Sequence, residues 1–162
     1  TIFLYVASND PHKNHSNLLK AWVHLSLENC FPKLILTIDR QNNLYNEIIR
    51  LKKQYKLNLE IKSNLNRKEL FQLYKKVNLL IYPSTFESYA IPLAEAKSIG
   101  LPVICSELDF ARDIIDPIET FNPYSSISIK RAVNRYLKRP DEKSKVITPN
   151  EFVNIITNDL RQ

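Results

Sequence analysis

The stretch NLLIYPSTFESYAIPLAEAKSIGLPVIC, residues 78–105, decides the fold. Its first residues, Asn78 to Tyr82, form a short apolar run of strand length, as expected for a strand buried between helical layers. A polar loop follows, and Pro92 to Ile99 then predicts a helix, with proline in the first turn, where a missing N–H costs nothing. Gly100 stands where a left-handed residue closes a helix. Pro102 to Cys105 is a second apolar strand. Strand, helix and strand in succession read as two parallel strands joined by a right-handed crossover.

The same alternation continues outward in both directions. Strands are expected at Ile2 to Ala7, Lys33 to Ile38, Leu57 to Lys62 and Glu119 to Phe121. A helix from about Ser16 carries an inward stripe of Leu18, Leu19, Trp22, Val23 and Leu25, and another covers Tyr45 to Tyr55. Asn66 with Glu69 three residues later reads as a capping box opening a helix that contains Leu70, Leu73 and Tyr74. A further helix spans Ser126 to Leu137. Beyond the charged Arg139-Pro140-Asp141-Glu142-Lys143, the run Thr148-Pro149-Asn150-Glu151 reads as the cap of a terminal helix over about 149–161. The expected fold class is α/β, a Rossmann-like, doubly wound parallel sheet flanked by helices. Such sheets take ligands outside the C-terminal ends of their strands.

Composition narrows the chemistry. The chain has 162 residues, which fits one domain, 1–162. It opens on a strand-like segment without a leader or initiator Met, which points to a piece of something longer. A single glycine, Gly100, removes the glycine-rich dinucleotide and Walker loops. A phosphate would have to be met by a helix N-terminus and by cations. The two cysteines, Cys30 and Cys105, make neither a disulfide framework nor a zinc site. His12 and His15 lack a third ligand in view, so no metal is expected. With 23 basic against 17 acidic side chains the net charge is +6. The basic residues come as scattered pairs such as Lys52-Lys53 and Lys75-Lys76, however, which reads as solvated helix faces rather than a nucleic-acid surface. Trp22 and Tyr74 lie on apolar stripes and read as core.

Two acids stand out because they flank a strand-end loop: Glu87 in the loop itself and Glu95 on the following helix. Ionised carboxylates at such a place accept hydrogen bonds from neighbouring sugar hydroxyls, strengthened by their charge. For Glu95 alone, a favourable interaction with the helix dipole is the competing explanation. Between the acids, the backbone N–H groups of Ser88, Tyr89, Ala90 and Ile91 lead into a helix start and could receive a phosphate without any glycine.

The pattern P-S-x-x-E-x7-E-A followed by G-x-P-V-I resembles the donor-site signature of the retaining nucleotide-sugar glycosyltransferases of the GT-B fold, the glycosyl transferases group 1 family. Lys68-Glu69-Leu70-Phe71-Gln72-Leu73-Tyr74 and Phe121-Asn122-Pro123 match the family's style, so the resemblance covers about Ile2 to Leu137. It corresponds to the C-terminal, donor-binding lobe alone, which would be inactive without its partner lobe. The resemblance implies that Glu95 holds the ribose hydroxyls and that Glu87 contacts the transferred sugar. It also implies that Lys13, in the P-x-K-N context of the first loop, neutralises the diphosphate, with Ser8, His12 and Asn14 in the same donor-binding loop. The loop Ser63-Asn64-Leu65 falls where relatives hold the base. The donor would be a UDP- or GDP-sugar with no further cofactor. The acceptor would be a glycan or lipid-linked glycan reached through a missing N-terminal lobe, into which the terminal helix would reach if it does not pack back on the sheet. Family usage implies polysaccharide or lipopolysaccharide assembly in the cytoplasm, and a basic surface is compatible with peripheral contact at the inner membrane face.

The sequence departs from the family at Ser8, where many relatives have arginine, and at Ser88 and Ala90, where glycines are common; His12 is the nearby group able to replace the missing cation. These departures keep a second reading open, a non-catalytic α/β binding or interaction module derived from the fold. A receiver-like domain is a weaker third, because Asn9-Asp10 is a poor substitute for the acidic cluster it would need. Fold alone does not choose among them.

Overall fold

The computed structural model describes residues 1–41 and 43–139. The expected terminal helix at 149–161 lies outside them. Among the described residues the order is β1 (Ile2–Val6), a 3-10 turn (Pro11–Lys13), α1 (His15–Leu27), β2 (Lys33–Thr37), α2 (Asn43–Tyr55), β3 (Leu59–Lys62), α3 (Arg67–Tyr74), β4 (Leu79–Tyr82), α4 (Ile91–Ser98), β5 (Val103–Ser106), α5 (Asp109–Arg112), β6 (Glu119–Phe121) and α6 (Ser126–Tyr136).

All strand pairs are parallel, in the order β3-β2-β1-β4-β5-β6. That is the doubly wound order, so the chain reverses direction across the sheet between β1 and β4. The two neighbours meet in the register Phe3↔Leu79 and Leu4↔Leu80. β4 and β5 are buried along their whole length, as strands covered on both faces must be. On one face α1 packs between α2 and α6. Its stripe of Leu18, Leu19, Trp22 and Leu25 is buried as expected, while Val23 is half-buried. Trp22 meets Phe3 edge to face at 5.3 Å and donates its indole N–H to the Pro32 carbonyl at 3.0 Å.

Helix boundaries follow from local chemistry. The Asn66–Glu69 capping box is formed in both directions, at 2.8 and 2.9 Å. At the other ends, α1, α2, α4 and α6 all close the same way: the residue two past the helix cap returns its N–H five positions, as in Cys30 to Leu25, Leu57 to Lys52, Leu101 to Ala96 and Arg139 to Asn134. The residue before each is left-handed: Asn29, Lys56, Gly100 and Lys138. This is the Schellman closure, which glycine usually serves. With one glycine in the chain, asparagine and two lysines fill the other three places. The closure at Lys56 also explains why β3 begins at Leu59 and not at Leu57, since the Leu57 amide is committed to the helix end. Other strands and helices shift by one or two residues from expectation. The 3-10 turn and the four-residue α5 carry no apolar period to reveal them.

Candidate functional site

The loops after β1 and β4 meet at the switch point and line one side of a cavity of about 550 Å³. Its wall takes Ser8 and Lys13 from the first loop, Thr37, Ile38 and Asp39 from the end of β2, and Lys62, Asn64 and Leu65 from the end of β3. Leu70 of α3, Tyr82 and Glu87 at the end of β4, and Tyr89, Ile91, Pro92 and Glu95 leading into α4 close it. From β4 to β3 the wall crosses three strand spacings, roughly 14 Å at about 4.8 Å each.

Lys13 reaches this wall because Pro11 starts the 3-10 turn and Asn14 ends it at φ 60°, a left-handed conformation that asparagine tolerates. The turn is stitched to the β4 loop. Thr85 donates both its backbone N–H, at 2.8 Å, and its hydroxyl, at 3.2 Å, to the His12 carbonyl. The Asn14 side-chain amide donates to the carbonyls of Pro83 and Pro123 at 2.9 and 2.7 Å, so it ties three loops together.

At the centre, Lys13 Nζ lies 2.7 and 2.8 Å from the two oxygens of Glu87, and the side chains are only 15% and 8% exposed. Tyr82 donates its hydroxyl to Glu87 Oε1 at 2.8 Å. Burial alone would raise the Glu87 carboxyl, but the hydrogen bonds from Lys13, Tyr82 and Ser84 outweigh it and hold the group below the usual glutamate range. Tyr82 moves the other way: burial, and then its acceptor Glu87, push its hydroxyl well above the ordinary tyrosine value.

Glu95 is the fifth residue of α4, past the first turn, so the dipole argument for its place weakens. It accepts instead from the Tyr74 hydroxyl at 2.9 Å. Tyr74 is thus core in its ring, as its apolar stripe indicates, and polar at its tip. Its hydroxyl is raised by burial and by Glu95.

Of the residues singled out in the sequence, Lys13, Glu87, Glu95, Ser8, Tyr89, Ile91, Asn64 and Leu65 lie on the cavity wall. Ser8 adds no cation there, and its hydroxyl turns to Asp10 Oδ2 at 2.5 Å. His12, Asn14, Ser63, Ser88 and Ala90 are not on the wall. His12 meets the β4 loop through its carbonyl, and the Ser63 hydroxyl is bonded to the Ile38 carbonyl at 2.8 Å. Ala90 is buried as the residue capping α4. Of the four loop amides, that of Ile91 is committed to the Tyr89 carbonyl. Those of Ser88, Tyr89 and Ala90 have no partner among the described residues.

The two histidines do not share a ligand face. His15 is buried, and its Nε2 lies 2.8 Å from the Ser8 carbonyl. A carbonyl only accepts, so Nε2 carries the proton and Nδ1 is bare. Burial holds the ring below its ordinary pKa. Among the described residues no group of three or more His, Cys, Asp or Glu could hold a metal ion, and no helix is long and apolar enough to cross a membrane.

Sequence reasoning missed Tyr82, Asp39, Thr37, Lys62 and Pro92. Most share one signal that was available: each of Tyr82, Thr37, Asp39 and Lys62 sits at or just past the C-terminal end of a strand, where such a sheet opens to ligands.

The family model described as glycosyl transferases group 1 matches residues 1–151. The O-antigen chain mannosyltransferase B of Escherichia coli is 28% identical over 117 residues, 69% of this chain and 30% of that protein. The O-antigen chain mannosyltransferase RfbU of Salmonella typhimurium is 29% identical over 147 residues, 88% of this chain and 40% of that one. The chain therefore spans less than half the length of these two relatives. Among solved structures, Anabaena HepE in complex with UDP and glucose superposes with a TM-score of 0.69 at 18% identity, over 85% of this chain and 38% of that one. At that identity the likeness is one of fold.

Proposed function

The chain belongs to the glycosyl transferases group 1 family, and from that premise we propose that it is the donor-binding lobe of a retaining glycosyltransferase acting on a UDP- or GDP-sugar. The observation that carries the reading is the buried Lys13–Glu87 pair at the switch point, with Glu95 on the same cavity wall. The diphosphate lies against Lys13 and the unpartnered N–H of Tyr89 on the cavity wall. Glu95 accepts from the ribose hydroxyls, Glu87 from the sugar, and Asn64 and Leu65 flank the base.

In the reaction the bond between the anomeric carbon and the diphosphate oxygen breaks, its electron pair staying on that oxygen. An acceptor hydroxyl forms the new bond on the same face, and its proton goes to the leaving diphosphate. Lys13 counts in this step because negative charge grows on the leaving group as the bond breaks. The acceptor, a glycan or lipid-linked glycan as the O-antigen relatives lead one to expect, is held by a second lobe on the cytoplasmic side of the membrane. The lobe alone binds donor and transfers little.

Calorimetry with UDP, GDP, ADP and their sugars tests the reading. Micromolar to millimolar binding of one nucleotide, lost in Glu95→Ala, is the expected result. Absence of binding by all of them, or binding that ignores Glu95→Ala, overturns it. The Ser8 hydroxyl bonded to Asp10, where many relatives supply a cation, favours a second reading, a binding module without turnover. A parent protein that binds donor yet neither transfers nor hydrolyses the sugar would establish that one.

A further inference from the structure

Lys13 and Glu87 are long side chains on two loops, yet they meet in one geometry, and the packing beneath them supplies the reason. Tyr5 of β1 is wholly buried, and its hydroxyl donates to the Lys13 carbonyl at 2.5 Å. The same hydroxyl lies 3.3 Å from Ser84 Oγ, also wholly buried. On the neighbouring strand Tyr82, 1% exposed, donates to Glu87 Oε1 at 2.8 Å. The two rings pack edge to face, centroids 5.8 Å apart and planes at 82°. Phenylalanine would fill both places without a polar atom to bury, and a buried hydroxyl is unfavourable unless it is bonded. Here the Tyr82 hydroxyl is bonded to the Glu87 carboxylate and the Tyr5 hydroxyl to the main-chain carbonyl of Lys13, with Ser84 Oγ lying against the Tyr5 hydroxyl.

We infer that Tyr5 and Tyr82 are positioning residues that set the Lys13 backbone and the Glu87 carboxylate for the donor. The inference rests on the donor-site reading and deepens it. A donor arriving at Lys13 brings a diphosphate that competes with Glu87 for the ammonium. Tyr82 then keeps Oε1 anchored as the lysine turns to the phosphate, leaving Oε2 directed at the sugar. Tyr5 keeps the lysine's backbone still during the exchange. The groups facing Glu87 are Lys13 from the 3-10 turn, Tyr82 and Ser84 from β4 and its loop, and Tyr5 from β1.

The test compares Tyr82→Phe and Tyr5→Phe with the wild-type chain, both variants retaining the packed rings. Three quantities are measured: thermal unfolding, the titration of the Glu87 carboxyl carbon by NMR without ligand, and calorimetric affinity for UDP, GDP and their sugars. In Tyr82→Phe the Glu87 midpoint should move up, since the charged form loses a donor, and nucleotide-sugar affinity should fall roughly tenfold. Tyr5→Phe should leave the Glu87 midpoint close to wild type and lower affinity by a smaller factor. If the wild type binds nucleotide and Tyr82→Phe binds it equally with an unmoved midpoint, the inference fails and the donor-site reading stands. Lost affinity with an unmoved midpoint also overturns it, since that is general damage and not positioning. If the wild type binds no nucleotide, the donor-site reading itself fails and takes the inference with it.

Discussion

The two ends of the sheet are built by different physics. At the end where helices run into strands, α1, α2, α4 and α6 each close with bonds spanning no more than five residues. At the other end, the β1 and β4 loops are joined by bonds between residues 69 to 79 positions apart, from Asn14, Lys13 and Tyr5 to Pro83, Glu87 and Ser84. The first end stabilises through helix closures that each segment carries by itself, with one long-range cluster added where Lys130, Asn134 and Arg139 meet Glu28. The second depends on a buried charge pair and polar bonds that form only when the whole sheet is assembled. Away from the Glu28 cluster, stability at the first end should be insensitive to pH and close to additive, whereas at the second it should be coupled and titratable.

The largest break in that contrast is Lys13→Met, which keeps the apolar stem and removes the charge. Leaving Glu87 buried without its cation should cost about 3 kcal/mol near neutral pH. The sign of the pH dependence should also reverse. In the wild type the Glu87 value lies below its unfolded one, so its contribution is present above the ordinary glutamate range and is lost as pH falls through the lowered value. Without Lys13, burial dominates and raises the group, so stability should grow as pH falls and decline as it rises towards the raised value. Urea unfolding between roughly pH 3 and 7 measures both curves; parallel curves would show that the pair does not govern Glu87.

A smaller break separates the turn from the clamp at Asn14. Asn14→Gly keeps the left-handed turn and loses the two amide bonds, which should cost about 1–2 kcal/mol. Asn14→Ala loses the same bonds and also puts a strained side chain at φ 60°, adding about 1 kcal/mol. Equal losses in the two variants would mean that the left-handed turn contributes nothing. Pro123 keeps one donor in either case, because Asn17 also reaches its carbonyl at 3.0 Å.

What could be read in the sequence follows the same division. The parallel alternation, the capping box at Asn66 and the role of Gly100 are local patterns, and each is found where its residues place it. The strand-end acids were visible because they bracket one loop. Tyr82 and Tyr74 were not, because their hydroxyls are committed to Glu87 and Glu95 only after β4, α3 and α4 pack. Asn14 shows the limit most clearly. Its neighbourhood to Lys13 marks it for the donor, but its amide is taken by carbonyls 69 and 109 residues away. A one-dimensional pattern carries the type of a polar residue, while its partner is set by topology.

The smallest predicted effect has the opposite sign and belongs to the other end of the sheet. Lys56 and Lys138 occupy left-handed positions at φ 53° and 54°, where their side chains crowd the backbone. Gly100 serves the same closure at φ 67° with nothing within 4 Å of a Cβ placed on it, so what recommends glycine there is backbone conformation and not space. Lys56→Gly and Lys138→Gly should therefore each stabilise the fold by about 0.5–1 kcal/mol, the relief of strain exceeding the added entropy of the unfolded chain. Because the two closures lie in different helices and share no partner, the double variant should gain the sum of the two. Chemical unfolding of the three variants at two pH values checks this. A Lys56→Gly gain that changed with pH, or a double variant short of the sum, would mean that the helix ends are coupled to the rest of the sheet and that its two ends are not independent.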